Sequence, residues 1–168
     1  SAAGGLRMIT SGLVPELTAE AAKQASLGAG AKVIRVYSYE LTKKDVAEIV
    51  ASHPDMLLLV GGTDGGNSEC ILANAKKLSQ VEPICPIVIA GNRNCADECE
   101  ELLDKWETHV CENVMPKFNE LNIEPAQREI RQIFLNRIIQ AKGLSKAADA
   151  HARRYDGCHA AVGRGNQD

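Results

Sequence analysis

Five short apolar segments, each closed by glycine, proline or asparagine, recur along the chain: Leu6 to Val14, Lys32 to Tyr39, Asp55 to Gly61, Pro86 to Gly91 and Thr108 to Val114. The inner ones are rich in Val, Ile and Leu and barely alternate between apolar and polar, the pattern of strands covered on both faces. Between them the apolar positions recur at helical spacing. Pro15 and Glu16 open a helix through Ala29 with small inward residues Leu17, Ala21, Ala25 and Gly28. Thr42 with Asp45 approximates a capping box ahead of Val46, Ile49 and Val50. Asn67 or Ser68 caps a third helix carrying Ile71, Leu72, Ala75 and Leu78. Asn94 with Asp97 caps a fourth carrying Cys99, Leu102, Leu103 and Trp106. Strand and helix alternate, and parallel neighbours need crossover connections. The pattern therefore predicts an α/β fold: a three-layer doubly wound parallel sheet of about five strands, flavodoxin-like in the order 2-1-3-4-5, with a Rossmann-type order as the alternative.

Beyond the fifth strand the pattern changes. Pro116 ends it, and Asn122 to Gly143 reads as one long helix, with Pro125 in its first turn and Ile130, Ile133, Phe134, Arg137, Ile138 and Ala141 at helical spacing. This helix is expected to pack on the sheet or on a domain outside the chain. From Ser145 the periodicity fails. The predicted organisation is thus a sheet domain over 1–121, a long helix over 122–144 and a poorly structured tail over 145–168.

Composition fits a folded domain: of 168 residues, 45% are apolar and 24% charged, and aromatics are only 4%, so aliphatic side chains and alanine must fill the core. A formal charge of −3 offers no cation excess to displace counterions, which argues against nucleic acid as a partner. The strongly apolar run Met56 to Val60 is far short of the ~20 residues that span a bilayer, so no membrane association is expected, and nothing in the sequence points to export. The six cysteines lack C-x-x-C spacing and read as free thiols, Cys95 and Cys99 lying four apart on a predicted helix.

In open parallel sheets ligands bind beyond the C-terminal strand ends, where the strand order reverses. For the order 2-1-3-4-5 that rule brings Gly12–Glu16 opposite Gly61–Asn67, with Gly91–Asn94 beside them. The middle loop, G-G-T-D-G-G-N, runs from a strand end into a helix start. Its glycines admit a close ligand, the helix N-terminus offers N–H groups to an anion, and Thr63, Asp64 and Asn67 add polar side chains. The candidate ligand-binding residues are Gly62, Thr63, Asp64, Gly65, Gly66, Asn67, Gly91, Asn92 and Arg93, with Arg93 as an anion clamp and phosphate or carboxylate as the ligand. The loop is neither a P-loop, which needs a lysine, nor a G-x-G-x-x-G fingerprint. No catalytic or metal-ligating residue is assigned: His53 closes a helix, His109 lies on the last strand, His151 and His159 are in the tail, Cys158 beside His159 is no nucleophile dyad without an ordered setting, and no Ser-His-Asp, H-E-x-x-H or paired-carboxylate pattern occurs. A thiol or hydrolytic enzyme using Cys95, Cys99 or Asp64 is the least supported reading.

The blocks S-A-A-G-G-L-R-M, G-L-V-P-E-L-T-A-E-A-A, L-G-A-G-A-K-V, L-L-V-G-G-T-D-G-G-N, I-V-I-A-G-N, E-N-V-M-P and N-x-E-P-A-x-x-x-I-R, spread from Ser1 to about Lys146, together resemble the glutamate (methylaspartate) mutase accessory protein family called MutL, distinct from the mismatch-repair protein of that name. The resemblance implies a piece from the interior of a longer, cytoplasmic protein, consistent with a chain that begins at Ser1. It implies an ATPase of the actin and Hsp70 class serving adenosylcobalamin-dependent glutamate mutase as an accessory or reactivating factor. The expected partners are the mutase subunits or the remaining domains of the same protein. ATP and magnesium belong to the full-length family. The D-x-G-[ST] nucleotide loops are not in these residues, so this piece is expected to be non-catalytic alone. The cobalamin pattern D-x-H-x-x-G is also missing, since neither His53 nor His109 has an aspartate two residues before it, and no cofactor is expected to bind this piece. After K-G-L-S-K the family would continue with apolar residues and a proline-containing segment. From about Ala147 this chain departs from that, which removes His151, Cys158 and His159 as site candidates. The alternative reading is an independent domain that binds a small phosphorylated or carboxylated ligand on the Gly-rich loop.

Overall fold

The computed structural model describes residues 5–142. The expected tail over 145–168 lies outside the described residues, as does the expected helix stop at Gly143. The elements alternate as the pattern predicts: β1 (Leu6–Gly12), α1 (Pro15–Ser26), β2 (Ala31–Ser38), α2 (Lys43–Ser52), β3 (Met56–Leu59), α3 (Glu69–Ser79), β4 (Ile87–Ile89), α4 (Ala96–Leu102) and β5 (Thr108–Val110), followed by α5 over residues 124–142. The five strands are parallel in the order β2-β1-β3-β4-β5, the flavodoxin-like order rather than the Rossmann one.

Successive side chains of a strand point to opposite faces, and this divides the core into two layers. Ile9, Leu57, Leu59, Ile87 and Ile89 face α2, α3 and α4, where they pack on Val46, Ile49, Ile71, Leu78, Cys99 and Leu103. Met8, Met56, Leu58, Val60, Val88 and Ala90 face the other way, onto Ala21, Ala22 and Ala25 of α1 and Ala126, Ile130 and Ile133 of α5. The small α1 residues let that helix lie close to the sheet. Large side chains such as Ile9, Leu58 and Ile87 are 1% exposed or less, and each contributes roughly 1.5–3 kcal/mol by leaving water.

β3, β4 and β5 are shorter than the apolar runs that predict them, β5 ending at Val110 rather than Val114, and three further boundaries differ for a local reason. β1 stops at Gly12, two residues short of Val14, where Thr18 crosses so closely that a Cβ on residue 12 would lie 2.3 Å from its Oγ1. α1 ends at Ser26 rather than Ala29. Gly28 takes φ +68°, leaves the helix and is exposed instead of packing inward, and Ala22 fills the inward position. α4 begins at Ala96, and its expected cap Asn94 does not act. Asn92 instead accepts from the Asn94 N–H at 3.0 Å and folds Arg93–Cys95 into a tight 3-10 turn. The capping box of α2 forms as read: Thr42 Oγ1 accepts from Asp45 N and Asp45 Oδ2 from Thr42 N, both at 3.0 Å.

The chain divides into two compact units, Ser1–Phe134 and Leu135–Asp168. Within the first, Ala126, Ile130, Ile133 and Phe134 set the beginning of α5 on the β1 and α1 side of the core. In the second, residues 135–142 are helical.

Candidate functional site

β1 and β3 are neighbours, yet α1 follows β1 onto one face and α3 follows β3 onto the other. The chain thus leaves the two strand ends in opposite directions, and a crevice opens between them. The cleft there measures about 210 Å³. One wall comes from the turn after β1 and the start of α1 (Leu13, Val14, Leu17, Thr18, Ala21), and the floor from Val60 to Thr63 with Asn67. The far wall is Asn113, Val114, Met115 and Phe118, from the segment after β5. No ionisable side chain is among these lining residues.

Of the residues singled out in the sequence, Gly62, Thr63 and Asn67 line this cleft, and Asp64, Gly65, Gly66, Gly91, Asn92 and Arg93 do not. Most of the second group tie the rim loops to one another. Asp64 Oδ1 accepts from the Arg93 backbone N–H at 2.9 Å and from Asn113 Nδ2 at 3.0 Å. Asn92, 1% exposed, accepts through Oδ1 from Gly65 N and Asn94 N and donates through Nδ2 to the carbonyls of Gly66 and Asn67. Asn113 Nδ2 also donates to Gly62 O at 2.9 Å, and its Oδ1 accepts from Met115 N. Three loops, after β3, β4 and β5, are therefore held in one arrangement by two amides and a carboxylate. Asn67 Oδ1 accepts from Cys70 N at 3.1 Å at the start of α3.

Gly62 makes this geometry possible. Its φ is +75°, and a Cβ there would lie 2.1 Å from the carbonyl oxygen of Asn67, so the loop closes on itself only because residue 62 has no side chain.

The sequence reading passed over three features. The segment Asn113 to Phe118 supplies a whole cleft wall, and its signal was a single polar residue, Asn113, ending the last apolar run. Thr18 reads as an ordinary helix residue, yet it is 4% exposed and lines the cleft. Asn74 sits on the apolar face of α3, where a polar residue is out of pattern. It is fully buried, accepts from Leu41 N at 2.7 Å and donates to Ser11 Oγ and to the Tyr39 carbonyl. It thereby fixes the end of β1 and the loop after β2 against α3.

Four of the thiols are held protonated. Burial, followed by the charge of Glu40, raises Cys70, and burial followed by Glu98 raises Cys95. Burial, then Cys95 and Glu98, pushes Cys99 up to about 12, and burial, then Glu129 and Glu112, does the same for Cys111. Since the thiolate is the reactive form, Cys99 and Cys111 are expected to react with iodoacetamide at pH 7.5 at least about tenfold more slowly than a free thiol, and Cys70 and Cys95 more slowly than a free thiol. One of them reacting at the free-thiol rate would contradict the burial. The same shift has a consequence for stability. Below pH 9 Cys99 is protonated in both folded and unfolded chains. Between pH 9 and 12 it ionises in the unfolded chain alone, so stability falls as pH rises. A Cys99→Ala variant should flatten that decline, read as urea midpoints from pH 8 to 10.5; an unchanged slope would rule out the Cys99 contribution.

A family model described as MutL protein matches residues 1–167, running past the point near Ala147 where the sequence pattern departs. The chain is 60% identical over 149 residues to Protein MutL of Clostridium tetanomorphum, an alignment covering 88% of this chain and 32% of that relative, so the chain spans about a third of the relative's length. In fold it is similar to the signal receiver domain of the response regulator NarL from Mycobacterium tuberculosis, with a TM-score of 0.50 at 12% identity over 77% of this chain and 96% of that domain. At that identity the likeness concerns fold alone.

Proposed function

The chain belongs to the MutL protein family, and on that premise we propose that it is a non-catalytic domain of a cytoplasmic accessory or reactivating protein for adenosylcobalamin-dependent glutamate mutase, working through recognition at the rim of its sheet. The observation that carries the recognition role is the state of the rim's polar groups: Asp64, Asn92 and Asn113 are engaged in holding loops together, and what the rim presents is an apolar cleft. A side chain that must hold its loop is poorly placed to move a proton or attack a substrate. The protonated thiols point the same way.

ATP and magnesium are assigned to other parts of the longer protein. The residues here do not fit them: no lysine or arginine lines the cleft to meet phosphate, and no three His, Cys, Asp or Glu side chains converge on one point among the described residues. The second reading, a domain that binds a phosphate or carboxylate, keeps Gly62, Thr63 and Asn67 at the cleft. It needs Arg93 to swing in from outside.

Immobilised glutamate mutase is expected to retain the purified 168-residue chain, with the full-length accessory protein as the positive control. Retention of the full-length protein without retention of this chain would place the contact in another domain.

A further inference from the structure

We propose that the cleft between β1 and β3 is a binding site for an uncharged, ring-sized small molecule with an apolar body and one hydrogen-bonding end. The proposal stands on the cleft's chemistry and is independent of the mutase reading. Its walls are Leu13, Leu17, Val60, Val114 and Met115, with Phe118, 75% exposed, standing at the mouth. A charged guest would lose its water there and meet no counter-charge, a cost of several kcal/mol, so the occupant is neutral.

A hydrogen-bonding end follows from Thr18. It is 4% exposed and lines the cleft, and its hydroxyl has no hydrogen-bond partner among the described residues. Among the described residues the fully buried side-chain atoms without a partner are Thr10 Oγ1 and Trp106 Nε1; the Thr18 hydroxyl keeps its access to the cleft and can pair with a guest there. Thr63, also in the lining, offers a second hydroxyl without a partner among the described residues. Size sets the last limit: an apolar cavity of roughly 150 Å³ holds benzene, and this cleft, at about 210 Å³, admits a six-membered ring with one small polar substituent.

Benzamide, benzoate and toluene separate these requirements, since benzamide and benzoate share a shape and differ in charge, and toluene lacks the polar end. Each is titrated into the 168-residue chain and followed by amide chemical shifts. Benzamide is expected to move the amides of Gly61, Gly62, Thr63 and Val114 saturably, and to bind at least about tenfold more tightly than benzoate at pH 7. The near-isosteric Thr18→Val should weaken benzamide about fivefold and leave toluene unchanged. Leu17→Trp, which fills the cleft from the edge of α1, should abolish the benzamide shifts while the rest of the spectrum keeps its dispersion. Unmoved cleft amides with benzamide, benzoate binding as well as benzamide, or benzamide binding that survives Leu17→Trp would each overturn the proposal. Benzamide affinity unchanged in Thr18→Val would overturn the role given to its hydroxyl.

Discussion

A chain carrying Gly62→Val is expected to melt about 6–16 °C below the parent, the largest effect of any single substitution at the rim. Two costs add. Residue 62 sits at φ +75°, a conformation that costs a side-chain-bearing residue about 1–2 kcal/mol, and more when it is β-branched. The new Cβ would also lie 2.1 Å from the Asn67 carbonyl oxygen, which is backbone and cannot swing aside. The loop must open, and with it goes the contact from Asn113 Nδ2 to Gly62 O. On the order of 3–4 kcal/mol is expected in all. Gly65→Ala is the control, because Gly65 has φ +76° and nothing within 4 Å of its missing Cβ; it should cost only the backbone strain, about 1 kcal/mol. Equal losses in the two variants, measured by thermal denaturation, would show that the close approach at residue 62 plays no part.

The second large effect is expected at Asn74. Replacing it by leucine keeps the branch point and the number of side-chain heavy atoms and suits the helix, and the surrounding face of α3 is apolar, so hydrophobicity alone predicts a neutral or stabilising change. Hydrogen-bond accounting predicts the opposite. Asn74→Leu strips the Leu41 N–H, the Ser11 hydroxyl and the Tyr39 carbonyl of their partner at a position with no exposure. An unsatisfied buried polar group costs about 1–3 kcal/mol, and the end of β1 and the loop after β2 can relax only in part, so about 3 kcal/mol of destabilisation is expected from urea unfolding. A loss under about 1 kcal/mol would mean that water reaches these groups.

These two positions differ in how visible they are before folding. The glycines of G-G-T-D-G-G-N announce a tight strand-to-helix turn, and a switch point in the order 2-1-3-4-5 locates that turn at the rim. What the string does not say is which glycine is indispensable. Gly62 and Gly65 look alike in sequence and share a positive φ, yet only one faces backbone at contact distance. Asp64 and Arg93 read naturally as ligand groups because both are charged and lie in adjacent loops. In the fold the Asp64 carboxylate is taken up by the backbone of residue 93 and by Asn113, a residue 49 positions away that no local pattern links to it. Asn74 interrupts the apolar face of α3, and nothing nearby in sequence names Leu41 or Ser11 as its partners.

The chain by itself determined the strands, the helices and their order. Periodicity, caps and glycine punctuation act over a few residues, and parallel neighbours joined by helices leave few topologies open. The blocks of sequence that carry the family resemblance are equally local. The tertiary structure decided the character of the site. A cleft wall from Asn113 to Phe118, the hydroxyl of Thr18 on the opposite wall and the loop-to-loop bonds of Asn92 and Asp64 arise from residues brought together across 25 to 100 positions. Their chemistry depends on who their neighbours are in space. That is why a rim which reads as anion-binding along the chain is lined, once folded, by apolar and uncharged groups.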